Sequence, residues 1–246
     1  GDGATNAQLS NFFGLRAGLN ATNANNSNFF GGNAGYEAAD ANHSLFIGKE
    51  AGSYAAEASS SVFIGYRSGY QTGTDFGFNG DCDPTAGECF SSIFIGAHSG
   101  YQAINANSSN FFGLSAGQNA TNAYLGNFLG RFAGTGATNA RVSNFIGYGS
   151  GYLSTNAQQA NFLGWSAGGE APNASFSNFM GRESGFSADN ATSSNFLGPY
   201  SGRFSDNASN SNFLGAYAGQ FAANASNSSF IGTNAGQGAT NASNSI

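Results

Sequence analysis

The chain has 246 residues, of which only 8% are charged and 24 are Phe, and its formal net charge is −6. Disordered chains carry few aromatic residues and much charge, so this composition indicates a folded protein with apolar side chains to bury. The cations are scattered and include a single Lys, Lys49. The lack of a basic patch argues against nucleic-acid binding, and no apolar run approaches the ~18 residues of a membrane-inserted helix.

A tandem repeat of 17 residues runs through the whole chain and predicts one repeat domain over residues 1–246. Residues 1–10 match positions 8 to 17 of the consensus N-F-[FIL]-G-x-x-[AS]-G-x-x-A-T-N-A-x-x-S. Thirteen units follow, and they begin at Asn11, Asn28, Leu45, Val62, Ile93, Asn110, Asn127, Asn144, Asn161, Asn178, Asn195, Asn212 and Ser229. Such a short period predicts a solenoid in which each unit is one coil.

The unit is too short and too rich in glycine to be helical. Helical solenoid repeats need ~33–47 residues because two helices must fit, and each glycine costs a helix roughly 1 kcal/mol. Glycine does not recur at every third residue and Pro totals three, which excludes collagen. The sequence therefore predicts an all-β fold, a β-solenoid of the parallel β-roll or β-helix type with one 17-residue repeat per coil and about 13–14 coils.

Three positions of the unit do not vary among the thirteen copies: Phe at position 2 and Gly at positions 4 and 8. Stacked coils place equal positions above one another, so we expect position 2 to form a buried ladder of rings. We expect the glycines to mark corners with positive φ or close backbone contact, and Asn at position 13 to form an amide ladder. The predicted core ladder consists of Phe12, Phe29, Phe46, Phe63, Phe94, Phe111, Phe128, Phe145, Phe162, Phe179, Phe196, Phe213 and Phe230.

Position 3 is also large and apolar in every unit, always Phe, Ile, Leu or Met. Neighbouring residues of a strand point to opposite faces, so a regular strand would turn this second ladder outward. A long outward apolar stripe normally marks an interface. The alternative is that the glycine at position 4 twists the strand end until both side chains enter one core. We favour the outward stripe.

One unit, which begins at Val62, carries 14 extra residues, and residues 76–89 are predicted to form an insertion loop. Its two cysteines, Cys82 and Cys89, are close together in a chain poor in Lys, which favours a disulfide in an oxidising compartment over two free thiols. Asp81, Asp83 and Glu88 are weak candidates for Ca²⁺ ligands. Their spacing does not match an EF-hand, so a surface loop with solvated acids is the simpler interpretation, and no metal site is predicted.

The variable positions 5, 6, 9 and 10 are predicted to face outside the coil. Trp165 lies there, as do nine of the ten tyrosines, namely Tyr36, Tyr54, Tyr66, Tyr70, Tyr101, Tyr148, Tyr152, Tyr200 and Tyr217. Outward Tyr and Trp suit contacts with protein or carbohydrate, or are simply solvated rings. Five sequons at position 13 are candidate glycosylation sites unless that position forms the internal ladder: Asn173, Asn190, Asn207, Asn224 and Asn241.

Segments such as Ser-Asn-Phe-Ile-Gly at 143–147 and Ser-Asn-Phe-Leu-Gly at 194–198, each followed by x-x-Ser-Gly, resemble a known pattern. They are similar to the N-x-F-[IV]-G-x-x-A-G repeats of bacterial and phage tail-fibre-like surface proteins. More distantly they resemble the head repeats of trimeric autotransporter adhesins. The resemblance covers the chain except for residues 76–89. It implies a β-solenoid, left-handed in the autotransporter heads and often a parallel trimer, that serves attachment.

No convergent set of titratable residues predicts catalysis, since His43 and His98 occupy different repeat positions and no pair of acids recurs. We therefore expect a non-enzymatic extracellular or cell-surface fibre protein without a cofactor. Its expected partners are other copies of itself, through solenoid ends or the apolar stripe, and surface glycans or other cells. The alternatives are an ice-binding or carbohydrate-binding solenoid, with Thr presented at the Ala-Thr-Asn-Ala edge, and, remotely, a tail-spike glycanase.

The two ends of the chain show no visible cap. The chain begins with Gly1 in mid-repeat and without a signal peptide, as expected of a fragment or of a chain whose leader has been removed. The last complete unit, 229–245, is as regular as the central ones. Repeat proteins normally protect their terminal strand edges with atypical polar repeats. The sequence thus predicts that the ends join further repeats or other subunits.

Overall fold

A computed structural model describes residues 1–56, 58–72 and 91–246. Within these ranges the backbone consists of short strands joined by turns. Each repeat unit contributes one three-residue strand from its positions 1 to 3. Strand follows strand in chain order, parallel and in register, so the prediction of an all-β solenoid with one repeat per coil is confirmed.

The described residues form two compact units, Gly1–Leu125 and Gly126–Ile246. The strands of the first unit pair in the order β1 to β6, and each position pairs with the same position of the next coil. They are β1 (Asn11–Phe13), β2 (Asn28–Phe30), β3 (Leu45–Ile47), β4 (Val62–Ile64), β5 (Ile93–Ile95) and β6 (Asn110–Phe112).

The second unit repeats this arrangement without an insertion, with its strands paired in the order β7 to β13. They are β7 (Asn127–Leu129), β8 (Asn144–Ile146), β9 (Asn161–Leu163), β10 (Asn178–Met180), β11 (Asn195–Leu197), β12 (Asn212–Leu214) and β13 (Ser229–Ile231).

The core of each unit is the predicted ladder of Phe rings, and it is narrow. Twelve of the thirteen position-2 rings are buried, while Phe12 is only partly buried. In the second unit the neighbouring rings stack 4.6–5.0 Å apart with interplanar angles of 3–16°. The remaining interior is made mainly of Ala at positions 7, 11 and 14 and of Ser at positions 7, 11 and 17, so the small side chains leave space for a single ring per coil.

The ring ladder of the first unit is disturbed at one step. Phe63 and Phe94 lie 5.6 Å apart at an interplanar angle of 58°, whereas Phe29 and Phe46 stack 4.6 Å apart at 6°. Phe63 belongs to the unit with the 14 extra residues. The strand register nevertheless continues from β4 to β5, with Phe63 opposite Phe94. The insertion therefore leaves the pairing of the coils intact.

The two invariant glycines are needed for two different reasons. At position 4, Gly164 has φ +138°, and a Cβ there would lie 2.5 Å from the carbonyl oxygen of Gly181 in the next coil. At position 8, Gly168 has φ +62°, and a Cβ there would lie 2.2 Å from the ring of Phe162. The first glycine thus allows the coils to approach, and the second makes room for the core ring, as expected for corners of the coil.

Left-handed backbone also occurs at four positions that are not restricted to glycine. Positions 6, 10, 13 and 16 have φ near +50 to +60°, for example Ser166, Glu170, Asn173 and Phe176 of one coil. Asn tolerates this conformation better than other L-residues. The frequent Asn at position 13 therefore has a backbone reason in addition to its side-chain hydrogen bonds, a reason that the sequence pattern alone did not suggest.

A buried row of serine hydroxyls ties successive coils together. Position 17 is Ser in most units, and its hydroxyl donates to the Ala carbonyl at position 14 of the next coil, as from Ser177 to Ala191 at 2.6 Å and from Ser194 to Ala208 at 2.7 Å. Where position 7 is Ser, its hydroxyl donates to the carbonyl of the next core Phe, as from Ser184 to Phe196 at 2.7 Å. These bonds satisfy buried polar groups.

Candidate functional surfaces

The outward side of the strands forms a regular surface in each unit. We call the side chains at positions 1 and 3 of the strands the strand face. Position 3 alternates with the buried Phe and points outward: Ile146 and Met180 are each 40% exposed, whereas Phe145 and Phe179 are 0% exposed. The predicted outward stripe is confirmed, and the alternative that both side chains enter one core is wrong.

The strand face carries no charged residue at either of its positions in any of the thirteen units. In the second unit its apolar row contains Leu129, Ile146, Leu163, Met180, Leu197, Leu214 and Ile231. These side chains recur at the same place in each successive coil because the strands pair in register. The result is a continuous uncharged apolar row on strands that pair in register.

Beside this apolar row lies a row of asparagine amides at position 1, which the sequence analysis overlooked. The side-chain amide of Asn144 donates to the Oδ1 of Asn161 at 2.7 Å, and Asn161 donates to Asn178 at 2.9 Å. The signal was present in the sequence, since nine of the thirteen units have Asn at position 1. Because each amide already bonds to its neighbour along the stack, the polar row of the strand face is largely satisfied without a partner.

The asparagine ladder predicted at position 13 is present, but at the surface rather than inside the coil. Asn156 donates to Asn173 at 2.9 Å, and Asn173 donates to Asn190 at 3.0 Å. The five candidate glycosylation sites belong to this ladder, and their side chains are partly exposed or exposed. An Asn amide nitrogen has two hydrogens and the ladder uses one of them, so glycosylation at Asn173, Asn190, Asn207, Asn224 and Asn241 stays a prediction.

Aromatic and guanidinium groups cover the side of the coil formed by positions 5, 6, 9 and 10. In the second unit the guanidinium of Arg182 lies 4.1 Å from the ring centroid of Trp165. Tyr200 and Tyr217 stack 5.0 Å apart at 10°. A sugar ring needs a free aromatic face, and one face of each of these rings is turned toward a neighbouring ring or guanidinium. This arrangement disfavours a flat carbohydrate platform at these residues.

The threonine edge considered for ice binding is discontinuous. In the second unit Thr138 pairs with Thr155, and Thr155 then pairs with Pro172. In the coil after that of Pro172, the position is Asp189, which pairs with Asp206. A flat array needs the same group at every coil, so this edge does not provide the regular surface that an ice-binding role requires.

The charged and titratable residues of the described ranges are dispersed. Glu183 pairs with Arg203 at 2.8 Å and with Arg182 at 3.6 Å, all on the outer surface. His43 lies 3.3 Å from the side-chain amide of Asn26, and His98 contacts the rings of Tyr66 and Tyr101. Within residues 1–56, 58–72 and 91–246, no three His, Cys, Asp or Glu side chains are grouped so that they could hold a metal ion.

The predictions for the insertion lie outside the described residues. They comprise the disulfide between Cys82 and Cys89, the loop at 76–89 and the weak Ca²⁺ candidates Asp81, Asp83 and Glu88. In the part of the chain that the structure describes, no helix has the length and apolar character needed to cross a membrane.

No family model matches the chain, and no curated protein sequence does so. The proposals that follow therefore depend on the geometry of the repeat.

Proposed function

We propose that this chain is a structural or adhesive fibre protein of the cell exterior, and that its strand face binds the strand face of a second copy. The observation that supports the proposal is the uninterrupted, uncharged apolar row at position 3. Contiguous exposed apolar surface is costly in water and is typical of association surfaces.

The periodicity of the row favours a copy of the same chain as the partner. The rings under the row are spaced 4.6–5.0 Å apart in the second unit, which is the spacing of neighbouring strands. A partner with another spacing would lose register after a few coils. A second copy has the same spacing, so apolar side chains meet apolar side chains at each coil.

The row of asparagine amides at position 1 also favours an apolar contact over a polar one. The bonds between Asn144, Asn161 and Asn178 already use one amide hydrogen of each donor, and each bond is worth roughly 0.5–1.5 kcal/mol. An apolar contact through position 3 leaves these bonds in place. The strand face is therefore better suited to burial of apolar surface than to a polar ligand.

A charge placed in the row tests the proposal. We expect the wild-type chain to sediment as an oligomer whose population grows with concentration, and Ile146→Glu to shift it toward monomer, because the new carboxylate would lose its water at the interface. Leu153→Glu is the matched control, since Leu153 is a 46% exposed apolar residue at position 10, away from the strand face. If Ile146→Glu and Leu153→Glu associate equally, the strand face is not the interface. If the wild-type chain is monomeric at all concentrations, the proposed self-association is wrong.

A further inference from the structure

Four tyrosines of the first unit form a connected group of rings on the outer surface. We call Tyr36, Tyr54, Tyr70 and Tyr101 the tyrosine cluster; they come from four successive repeats. Tyr36 contacts Tyr54 edge to face at 5.2 Å and 71°, and Tyr54 contacts Tyr70 in the same way at 5.7 Å and 76°. The last pair differs, because Tyr70 and Tyr101 are stacked 5.4 Å apart at 9°.

The backbone beside the stacked pair is fixed by hydrogen bonds. The amide of Gln102 donates to the carbonyl of Tyr70 at 2.8 Å, and the side-chain amide of Gln102 donates to that of Gln71 at 3.0 Å. Both phenol rings are partly exposed, so a small reagent can reach them. The stacked pair is therefore held in place and accessible at the same time.

We propose that Tyr70 and Tyr101 are a site of oxidative coupling, at which a carbon–carbon bond between the two rings links neighbouring coils as dityrosine. The oxidant is hydrogen peroxide acting through a peroxidase. Each phenol loses one hydrogen atom, and the two radicals join at ring carbons next to the hydroxyls. The hydrogens on those carbons then return to the phenol oxygens. Two hydrogen atoms leave in all, and the peroxide is reduced to two molecules of water.

Stacking distinguishes this pair from the other two pairs of the tyrosine cluster, and in the second unit Tyr200 and Tyr217 share it. Holding both radicals side by side gives a high effective concentration, so the intramolecular bond forms faster than a bond between separate chains. In the two edge-to-face pairs that Tyr54 makes, the edge of one ring points at the centre of the other. This geometry separates the ring carbons next to the hydroxyls, which are the carbons that would form the bond. Burial raises the pKa of the Tyr70 phenol, so at neutral pH its hydrogen is removed from the protonated form.

The position of the link gives it a structural consequence. Tyr70 precedes the extra residues of the longest repeat, and Tyr101 lies in the next repeat. A cross-link between them closes a covalent loop, and that loop contains the longest connection between two coils. Such closure lowers the entropy of the unfolded chain and thus favours the folded state. The tyrosine cluster lies at positions 9 and 10, whereas the strand face is formed by positions 1 and 3. The cross-link therefore does not depend on the proposed contact between two copies.

The test uses the whole chain, a peroxidase and a limited amount of hydrogen peroxide. We expect a product of monomer size that has lost two hydrogen atoms and shows dityrosine fluorescence. We expect proteolysis and mass spectrometry to yield a linked peptide pair that contains Tyr70 and Tyr101. Tyr70→Phe and Tyr101→Phe should each abolish that peptide pair. In the wild type the oxidised product should also unfold at a higher denaturant concentration than the untreated chain.

Tyr152→Phe is the control, because Tyr152 is 37% exposed and has no ring contact with another residue of the described ranges. We expect it to leave the linked pair unchanged. Coupling only between separate chains, or a link from Tyr70 to Tyr54 in place of Tyr101, would overturn the assignment. Folding of Tyr70→Phe is checked by its circular dichroism, which should match that of the wild type.

Discussion

Single residues in this chain are constrained mainly by the closeness of neighbouring coils. The position-4 glycines face the carbonyl groups of the next coil, and the position-8 glycines face a core ring. In the described ranges the Phe at position 2 is the large apolar side chain of the interior, so each coil depends on one ring for its largest buried apolar group. Substitutions at these positions should therefore have large effects, while substitutions at adjacent outward positions should have small ones.

The core ring and its outward neighbour provide a direct comparison. Phe145 is 0% exposed and Ile146 is 40% exposed. Phe145→Ala should lower the free energy of unfolding by about 3–5 kcal/mol, since the ring is lost from a site that cannot collapse between two stacked rings. Ile146→Ala should cost less than about 1 kcal/mol in the monomer. Denaturant titration at low protein concentration measures both, and equal losses would contradict the inward and outward assignment.

Glycine at position 4 should be irreplaceable even by Ala. Gly164→Ala would place a Cβ 2.5 Å from the carbonyl oxygen of Gly181 at φ +138°, and the backbone conformation alone costs about 1–3 kcal/mol. Gly32→Ala is the control, because its Cβ would meet no atom within 4 Å and its φ is not in the left-handed region. Thermal unfolding should show a large loss for the first variant and little change for the second. A stable Gly164→Ala protein would refute the close approach of the coils.

The left-handed residue at position 16 allows a reciprocal exchange. Val142 has φ +57° and Asn210 has φ +56° at the same position of two coils. A left-handed conformation costs an L-residue roughly 1–2 kcal/mol, and Asn tolerates it best. Val142→Asn should stabilise the chain by about 1 kcal/mol, and Asn210→Val should destabilise it by a similar amount. Denaturant titration measures both changes. A loss of stability in Val142→Asn together with a gain in Asn210→Val would show that the backbone at position 16 is not left-handed.

At the scale of the repeat, the sequence was sufficient to predict the strand, its direction and its two faces. The repeated spacing of Phe12 to Phe230 predicted stacked coils, and two adjacent apolar positions favoured one inward and one outward row over a shared core. The four left-handed positions could not be read from the sequence, because residues as different as Ser166 and Phe176 occupy them. Their conformation is imposed by the tight succession of turns around the coil, and local preference is overridden.

The polar rows illustrate a second limit of the sequence. Ser at position 17 was visible in the consensus, yet its role depends on a carbonyl 14 residues later, as between Ser177 and Ala191. The amide rows at positions 1 and 13 look alike in sequence, and the sequence left open whether the row at position 13 is internal or exposed. Only the direction of each side chain relative to the coil separates surface rows from buried ones, and that direction follows from the turns.

At the scale of the molecule, the strand face is the surface that we propose brings two copies together. Met180 provides a reporter for it, because it is the only Met of the chain and lies in the apolar row with 40% of its side chain exposed in a single copy. Hydrogen peroxide converts an accessible Met to its sulfoxide, so the oxidation rate reports whether the row is covered.

The rate of oxidation of Met180 should be measured by intact mass at protein concentrations below and above the onset of association. If the strand face is the interface, Met180 should oxidise readily in the monomer and slowly in the oligomer, and Ile146→Glu should restore rapid oxidation at the higher concentration. If Met180 oxidises at the same rate in the monomer and in the oligomer, the strand face is not the interface between the copies.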